Sequence, residues 1–171
     1  MTGQERIRQR RLEREAEGYL ELGMPRQALD TLSRVRGESK LSSHALFLKG
    51  ESLRWLARHQ EALIPLSGAA QGDPQNIHVW LALGWCYKRI GRVDLAIKSL
   101  RRAMEVAPSD ALIQYNLACY HSLAGNRGHA LAHLARAVSF DPEYRGLAEA
   151  ETDFDPLRSD PDFQALTRLV A

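Results

Sequence analysis

Residues 77–108 carry a spaced set of side chains that recurs along the chain: Trp80, Leu83-Gly84, Tyr87, Ala96, Leu100 and Pro108. Moving the frame 34 residues forward brings Leu117-Ala118, Gly125, Ala130, Leu134 and Pro142 into line. One step back gives Gly50, Leu53, Ala62, Leu66, Ala69 and Pro74, and two steps back Ala16, Tyr19, Gly23, Ala28, Leu32 and Val35. A repeat this short cannot bury a core alone, so the units must stack on their neighbours.

The third unit shows the local logic. Trp80, Gly84 and Tyr87 lie on one helical face. Gly84 carries no side chain where two helices approach closely, which offsets a propensity cost of about 1 kcal/mol. The spacing predicts a first helix over about Ile77–Ile90. Gly91 then takes the left-handed conformation that ends it. A second helix is predicted over about Val93–Val106, with Ala96, Leu100 and Ala103 inside and Pro108 as its stop.

The other units follow with defects. The fourth has Ala118 for the glycine and His121 for the tyrosine; the second has Leu53 for the tyrosine, and Ala57 near its turn. Pro65 falls inside the second helix of that unit, where it predicts a kink or a break. The first unit has Leu12 for the aromatic and Lys40 for the proline, but Gly23 and Pro25 make a strong turn. The connector from Arg36 to Ser43, with Gly37, is expected to be the loosest joint. Past Pro142 the pattern changes. Residues 143–151 read as one more helix. Asp155-Pro156 and Asp160-Pro161 each read as an N-cap followed by proline, so two short helices are expected to start there, the second reaching about Val170. Phe154, Leu157, Phe163, Leu166 and Leu169 then need a surface to bury against, as a terminal cap would.

This spacing and residue order resemble the tetratricopeptide repeat, over about residues 9–142. The tail resembles the Asp-Phe-Asp-Pro-Leu segment that closes such arrays in many bacterial proteins, which suggests a bacterial source. The resemblance implies an all-α fold: an α-solenoid of about four helix-turn-helix units in a right-handed superhelix with a C-terminal helical cap. The expected organisation is a charged extension over 1–8, units over 9–42, 43–76, 77–110 and 111–142, and capping helices over 143–171.

Composition narrows the function. The 171 residues carry a net charge of +2, too little for a global nucleic-acid-attracting field. Six basic residues against Asp94 lie between Lys88 and Arg102, and eight acids against Arg145 and Arg158 lie between Asp141 and Asp162. Cys86 and Cys119 have no metal-type spacing and make no disulfide framework, which fits reduced thiols in the cytoplasm. The N-terminus lacks the apolar core of a signal peptide, and no run is long enough to span a bilayer. A soluble cytoplasmic protein is expected.

In the family the resemblance points to, the inner surface comes from the first helix of each pair. Carried over, it includes Glu13, Glu17 and Glu21 in the first unit. The second supplies His44, Phe47, Glu51, Arg54 and Trp55, and the third His78, Leu81, Trp85, Lys88 and Arg89. The fourth supplies Leu112, Tyr115, Cys119, Ser122 and Leu123, with Asn116 beside them. Phe47, Glu51, Arg54, Trp55, His78, Leu81, Trp85, Lys88, Arg89, Tyr115 and Asn116 are the candidate partner contacts. Large aromatics beside cations suit an apolar anchor next to a carboxylate. The alternative for Trp55 and Trp85 is packing against the neighbouring repeat.

One kind of family member clamps the C-terminal carboxylate of heat-shock chaperones with Lys, Asn, Asn, Lys and Arg. Where the clamp takes Lys and Asn this chain has Glu13 and Glu17, Phe47 and Glu51, or Leu81 and Trp85, so that ligand is rejected. His129 and His133 have i,i+4 ligand spacing but no third ligand, and read as a solvated pair. His121, in a core tyrosine position, reads as a partly buried, hydrogen-bonded side chain. No nucleophile elbow, phosphate loop or paired carboxylates occur, so no enzyme, metal or cofactor is expected. The inner face is apolar and mixed in charge, unlike that of repeats that read RNA. The expected function is an adaptor or scaffold that takes a peptide or helix from another protein in a concave groove. Alternatives are a small chaperone for secretion or assembly clients, and self-assembly into a homo-oligomer through the acidic tail and the basic third repeat.

Overall fold

A computed structural model describes residues 3–35 and 41–168. The connector glycine Gly37 and the end of the last predicted helix lie outside the described residues. The described residues form helices and turns with no strand, as an all-α reading requires. The chain divides into two compact units, Met1–Ile90 and Gly91–Ala171.

The first unit contains α1 (Gly3–Glu21), α2 (Pro25–Ser33), α3 (Ser43–Trp55), α4 (His59–Gly72) and α5 (Ile77–Arg89). Helix α1 begins at Gly3, so residues 3–8 are its first turns rather than a separate extension. Gly23 ends it with φ +71°, and Pro25 opens α2. Ser42 caps α3 by accepting from the Ala45 amide at 3.0 Å, and Asn76 caps α5 through the His78 amide at 3.1 Å. Ala16, Ala28, Leu32, Ala45 and Leu48 form one core. A second joins Leu53, Ala62, Leu66 and Ala69 to Val79, Leu83 and Cys86, with Trp80 and Tyr87 packed on it. The Trp80 indole donates to the Pro74 carbonyl at 2.9 Å.

Pro65 does not break α4, which runs from His59 through to Gly72. The ring is buried, and α4 packs on both α3 and α5. That packing offsets one lost backbone bond, because tertiary contacts supply most of a helix's stability.

The second unit contains α6 (Val93–Val106), α7 (Ala111–Leu123), α8 (Arg127–Phe140), α9 (Tyr144–Ala150), a 3-10 turn over Thr152–Leu157, and α10 (Pro161–Thr167). Gly91 and Gly125 take φ of +79° and +74° at their helix ends. Ala96, Leu100, Ala103, Leu117, Ala118, Ala130 and Leu134 are buried. Asp160 caps α10 as expected, accepting from the amides of Asp162 and Phe163 at 2.9 and 3.3 Å. Asp155-Pro156 starts nothing. Both residues lie inside the 3-10 turn, which begins at Thr152 and is capped by the Glu151 carboxylate accepting from the Asp153 amide at 3.1 Å. A carboxylate one turn earlier takes the capping role, so the proline falls mid-turn rather than at its start. Arg158 ties the tail together. Its guanidinium donates to the carbonyls of Ala148, Glu149 and Glu151, the last two close to the C-terminus of α9. Arg127 bridges from α8 to Asp160 at 2.5 Å and Asp162 at 2.6 Å.

Candidate partner-binding face

In the first unit the candidate partner contacts come from α3 and α5, which pack against each other. Phe47 is half-buried on the core of that unit. Trp55 and Trp85 stay 52% and 41% exposed, although they are among the largest apolar side chains in the molecule. Their helices are fixed by the residues around them: Leu53 and Leu83 lie in the core, and the tryptophan two positions on from each is turned out. The Lys88 ammonium lies 5.7 Å from the centre of the Trp85 ring, within cation–π range. His78 and Arg89 are exposed, and Leu81 is half-buried.

Arg54 is differently placed from the expectation that it awaits a ligand. Its guanidinium is engaged by Glu51 in a two-pronged pair at 2.7 and 2.8 Å. The pair neutralises Glu51, and the hydrogen bond to it raises the Arg54 pKa. His59, at the head of α4, has its pKa lowered by burial and then by Arg89 and Arg54. Sequence reading passed over His59, whose position at a helix start carried no signal. Burial pushes the Cys86 thiol up to about 11, too high for a nucleophile near neutral pH.

The acids expected at the N-terminal end of this face are partly spent. Glu13 is buried and accepts from Gln9 at 3.0 Å and from the Ser42 hydroxyl at 2.7 Å. Glu17 lies 3.7 Å from the His44 ring.

In the second unit the equivalent face is closed by the chain itself. Tyr115, a predicted contact, is only 8% exposed. Its ring packs 4.7 Å from Tyr144 and 5.8 Å from Phe154, centre to centre. Phe154 is fully buried and reaches Phe163 at 5.3 Å. Cys119 and Ser122 are buried too, while Asn116 is half-buried and Leu112 and Leu123 remain exposed. Tyr115 is therefore a core residue under the C-terminal segment. The tail's aromatics were the signal for it: they needed a surface, and an inner face offers one as well as the end of an array does.

The histidines meet the expectation in part: His129 is exposed and His121 is buried and bonded to Asn126 at 3.2 Å, but His133 is half-buried rather than solvated. His121 is 2% exposed, and the rings of His129 and His133 stack on it at 4.9 and 5.5 Å. His133 Nδ1 bonds the Gln114 carbonyl oxygen at 2.7 Å, and Gln114 is in turn held by the Pro108 carbonyl. Burial holds His121 and His133 down at about 4. Among the described residues no group of three or more histidine, cysteine or acidic side chains is arranged to hold a metal ion. No described helix is long and apolar enough to cross a membrane.

Two family models, both described as tetratricopeptide repeat, match residues 13–77 and 56–118. Among known proteins, the chain is 26% identical over 141 residues to the BBSome complex member BBS4 of Bos taurus, covering 80% of this chain and 27% of that one. It is 26% identical over 96 residues to superkiller complex protein 3 of Mus musculus, covering 54% of this chain and 6% of the relative. The chain thus spans about a quarter or less of the length of these relatives. Among solved structures, MamA from Desulfovibrio magneticus RS-1 superimposes with a TM-score of 0.79 at 19% identity, covering 93% of this chain and 89% of that one. YrrB, described as a TPR protein with an unusual peptide-binding site, gives 0.72 at 21% identity, covering 79% and 70%.

Proposed function

Because the chain belongs to the tetratricopeptide-repeat family and has its helix-pair solenoid fold, we propose that it is a non-catalytic adaptor that binds another protein on the inner face of α3 and α5. Repeats of this kind work by offering a stacked surface to partners. One observation carries the reading: Trp55, Trp85 and Arg89 stand exposed, with Phe47 and Lys88 half-buried, in a single compact unit. Exposed tryptophan and arginine are the residue types that most often dominate interface energy. The unusual peptide-binding site of YrrB and the complex membership of BBS4 lend support by likeness.

Affinity capture from native lysate tests it, with the wild type beside a Trp85→Ala, Lys88→Glu variant of matched helical content. One stoichiometric partner, lost in the variant, is the expected result. A partner retained by the variant rejects this face. A broad set of weak clients would instead favour a chaperone.

A further inference from the structure

Three imidazoles meet where α7 packs on α8. His121 from α7 is 2% exposed, and the rings of His129 and His133 from α8 lie 4.9 and 5.5 Å from it, centre to centre. His129, His133 and Arg136 fall at i, i+4 and i+7, so they share one face of α8. Arg101 of α6 acts on the rings of both His121 and His133. Arg101 and Arg136 are exposed, and neither guanidinium has a hydrogen bond or ion pair among the described residues.

The hydrogen bonds fix where the ring protons sit. The Asn126 amide nitrogen can only donate, so His121 Nδ1, 3.2 Å from it, accepts. The neutral His121 ring therefore carries its hydrogen on Nε2, and that buried atom has no hydrogen-bond partner. His133 is the reverse. Gln114 donates through its nitrogen to the Pro108 carbonyl at 2.9 Å, and its oxygen accepts from His133 Nδ1 at 2.7 Å. His133 Nε2 is left with a lone pair. A buried donor without an acceptor is costly, and so is a group of cations with no anion among them. The charges that shift His121 and His133 are all positive: their partner histidines, Arg101 and Arg136. The tail also packs on α7 and α8, but Asp160 and Asp162 are held by Arg127, Asp155 by Arg158, and Glu151 caps its own turn.

We propose that this cluster is a binding site for a tetrahedral oxyanion of the phosphate type. Arg101 and Arg136 hold the anion, since the planar guanidinium fork matches phosphate oxygens. The exposed His129 ring turns aside, and the His121 Nε2 hydrogen is donated to one oxygen. His133 Nε2 takes up a proton and donates to another. Binding is thus coupled to proton uptake and tightens as pH falls.

Sulfate, which stays doubly charged from pH 7 to pH 5, is the probe. It is titrated onto the full chain against chloride at matched ionic strength, with the histidine ring protons followed by NMR. Saturable shifts at His121 and His129 are expected, with binding about tenfold tighter at pH 5 than at pH 7, and sulfate should raise the pH at which His121 and His133 titrate. Changing both surface arginines, Arg101→Gln and Arg136→Gln, should weaken sulfate about tenfold with helical content unchanged. In His121→Phe, which keeps a ring in the stack but removes the donor, sulfate should bind more weakly as well. Inorganic phosphate and O-phosphoserine are then compared. Binding of both supports the site with a phosphate monoester as ligand, and binding of phosphate alone supports it with the free anion as ligand. Shifts that chloride reproduces at equal ionic strength reflect screening and overturn the site. Sulfate binding that ignores the arginine changes, or that is the same at both pH values, overturns it too.

Discussion

At the turn after α3 the backbone demands a residue the sequence does not supply. Gly23, Gly91 and Gly125 end their helices in the left-handed region, and Ala57 does the same at φ 57°. The same hydrogen bond closes three of these turns. The Arg58 amide reaches the Leu53 carbonyl at 2.9 Å, as the Met24 amide reaches Tyr19 and the Asn126 amide reaches His121, both at 2.8 Å. The motif is legible in the sequence wherever glycine marks it, and faint at Ala57 for want of one. Since a Cβ in this region is strained and Ala57 is exposed, Ala57→Gly should raise stability by about 0.5–1 kcal/mol, read from the urea midpoint. Gly50 is the opposite case. A Cβ there would lie 2.4 Å from Leu66 Cγ and 2.5 Å from Cδ2, and Leu66 is fully buried. Gly50→Ala gains about 1 kcal/mol of helix propensity but forces overpacking that costs about 1–3 kcal/mol. The net should be a loss, visible as a lower urea midpoint with an unchanged slope.

Helix limits were the most legible features, because periodicity, caps and stops agree. The second helix of the third unit runs from Val93 to Val106, and α5 ends at Arg89, one residue short of the expected Ile90. Legibility fails where packing overrides a local rule, as at Pro65, or where two capping carboxylates compete, as at Glu151 and Asp155. The packing of α7 on α8 hides a further property. His121 from α7 faces His129 and His133 from α8, and Arg101 of α6 and Arg136 of α8 add positive charge. Only the i,i+4 pair showed in sequence; its stacking on His121 required the helix pairing. Both His121 and His133 sit near 4 in the fold, against about 6.5 when unfolded. The unfolded chain therefore binds more protons between these values. Their stabilising contribution is complete above pH 6.5 and is lost as pH falls toward 4, on the order of 3 kcal/mol for His121. Denaturation at pH 7, 6 and 5 should show falling stability of the second unit, and NMR titration of the ring protons should show two histidines that stay neutral at pH 5. Constant stability over this range, with all rings titrating near 6.5, would contradict the buried stack.

On the scale of the molecule, the same kind of face has two fates. The α7 face is occupied by the chain's own tail, while the α3 and α5 face keeps two tryptophans in solvent. The sequence offered both sets of residues as contacts, because repeat position alone does not distinguish an open stripe from a covered one. Tyr115 illustrates the limit: its frame position is that of Leu81, and only the fold of residues 144–163 shows what covers it. Trp55 and Trp85 were legible as apolar residues outside the core stripe, and they remain the exposed pair. Hydroxyl-radical footprinting of the captured complex, against the free protein, tests the partner-binding face most directly. Oxidation of Trp55 and Trp85 should fall severalfold in the complex, with Tyr115 protected equally in both states. Unchanged oxidation of Trp85, with new protection at Leu112 and Leu123 instead, would place the partner elsewhere and contradict the account.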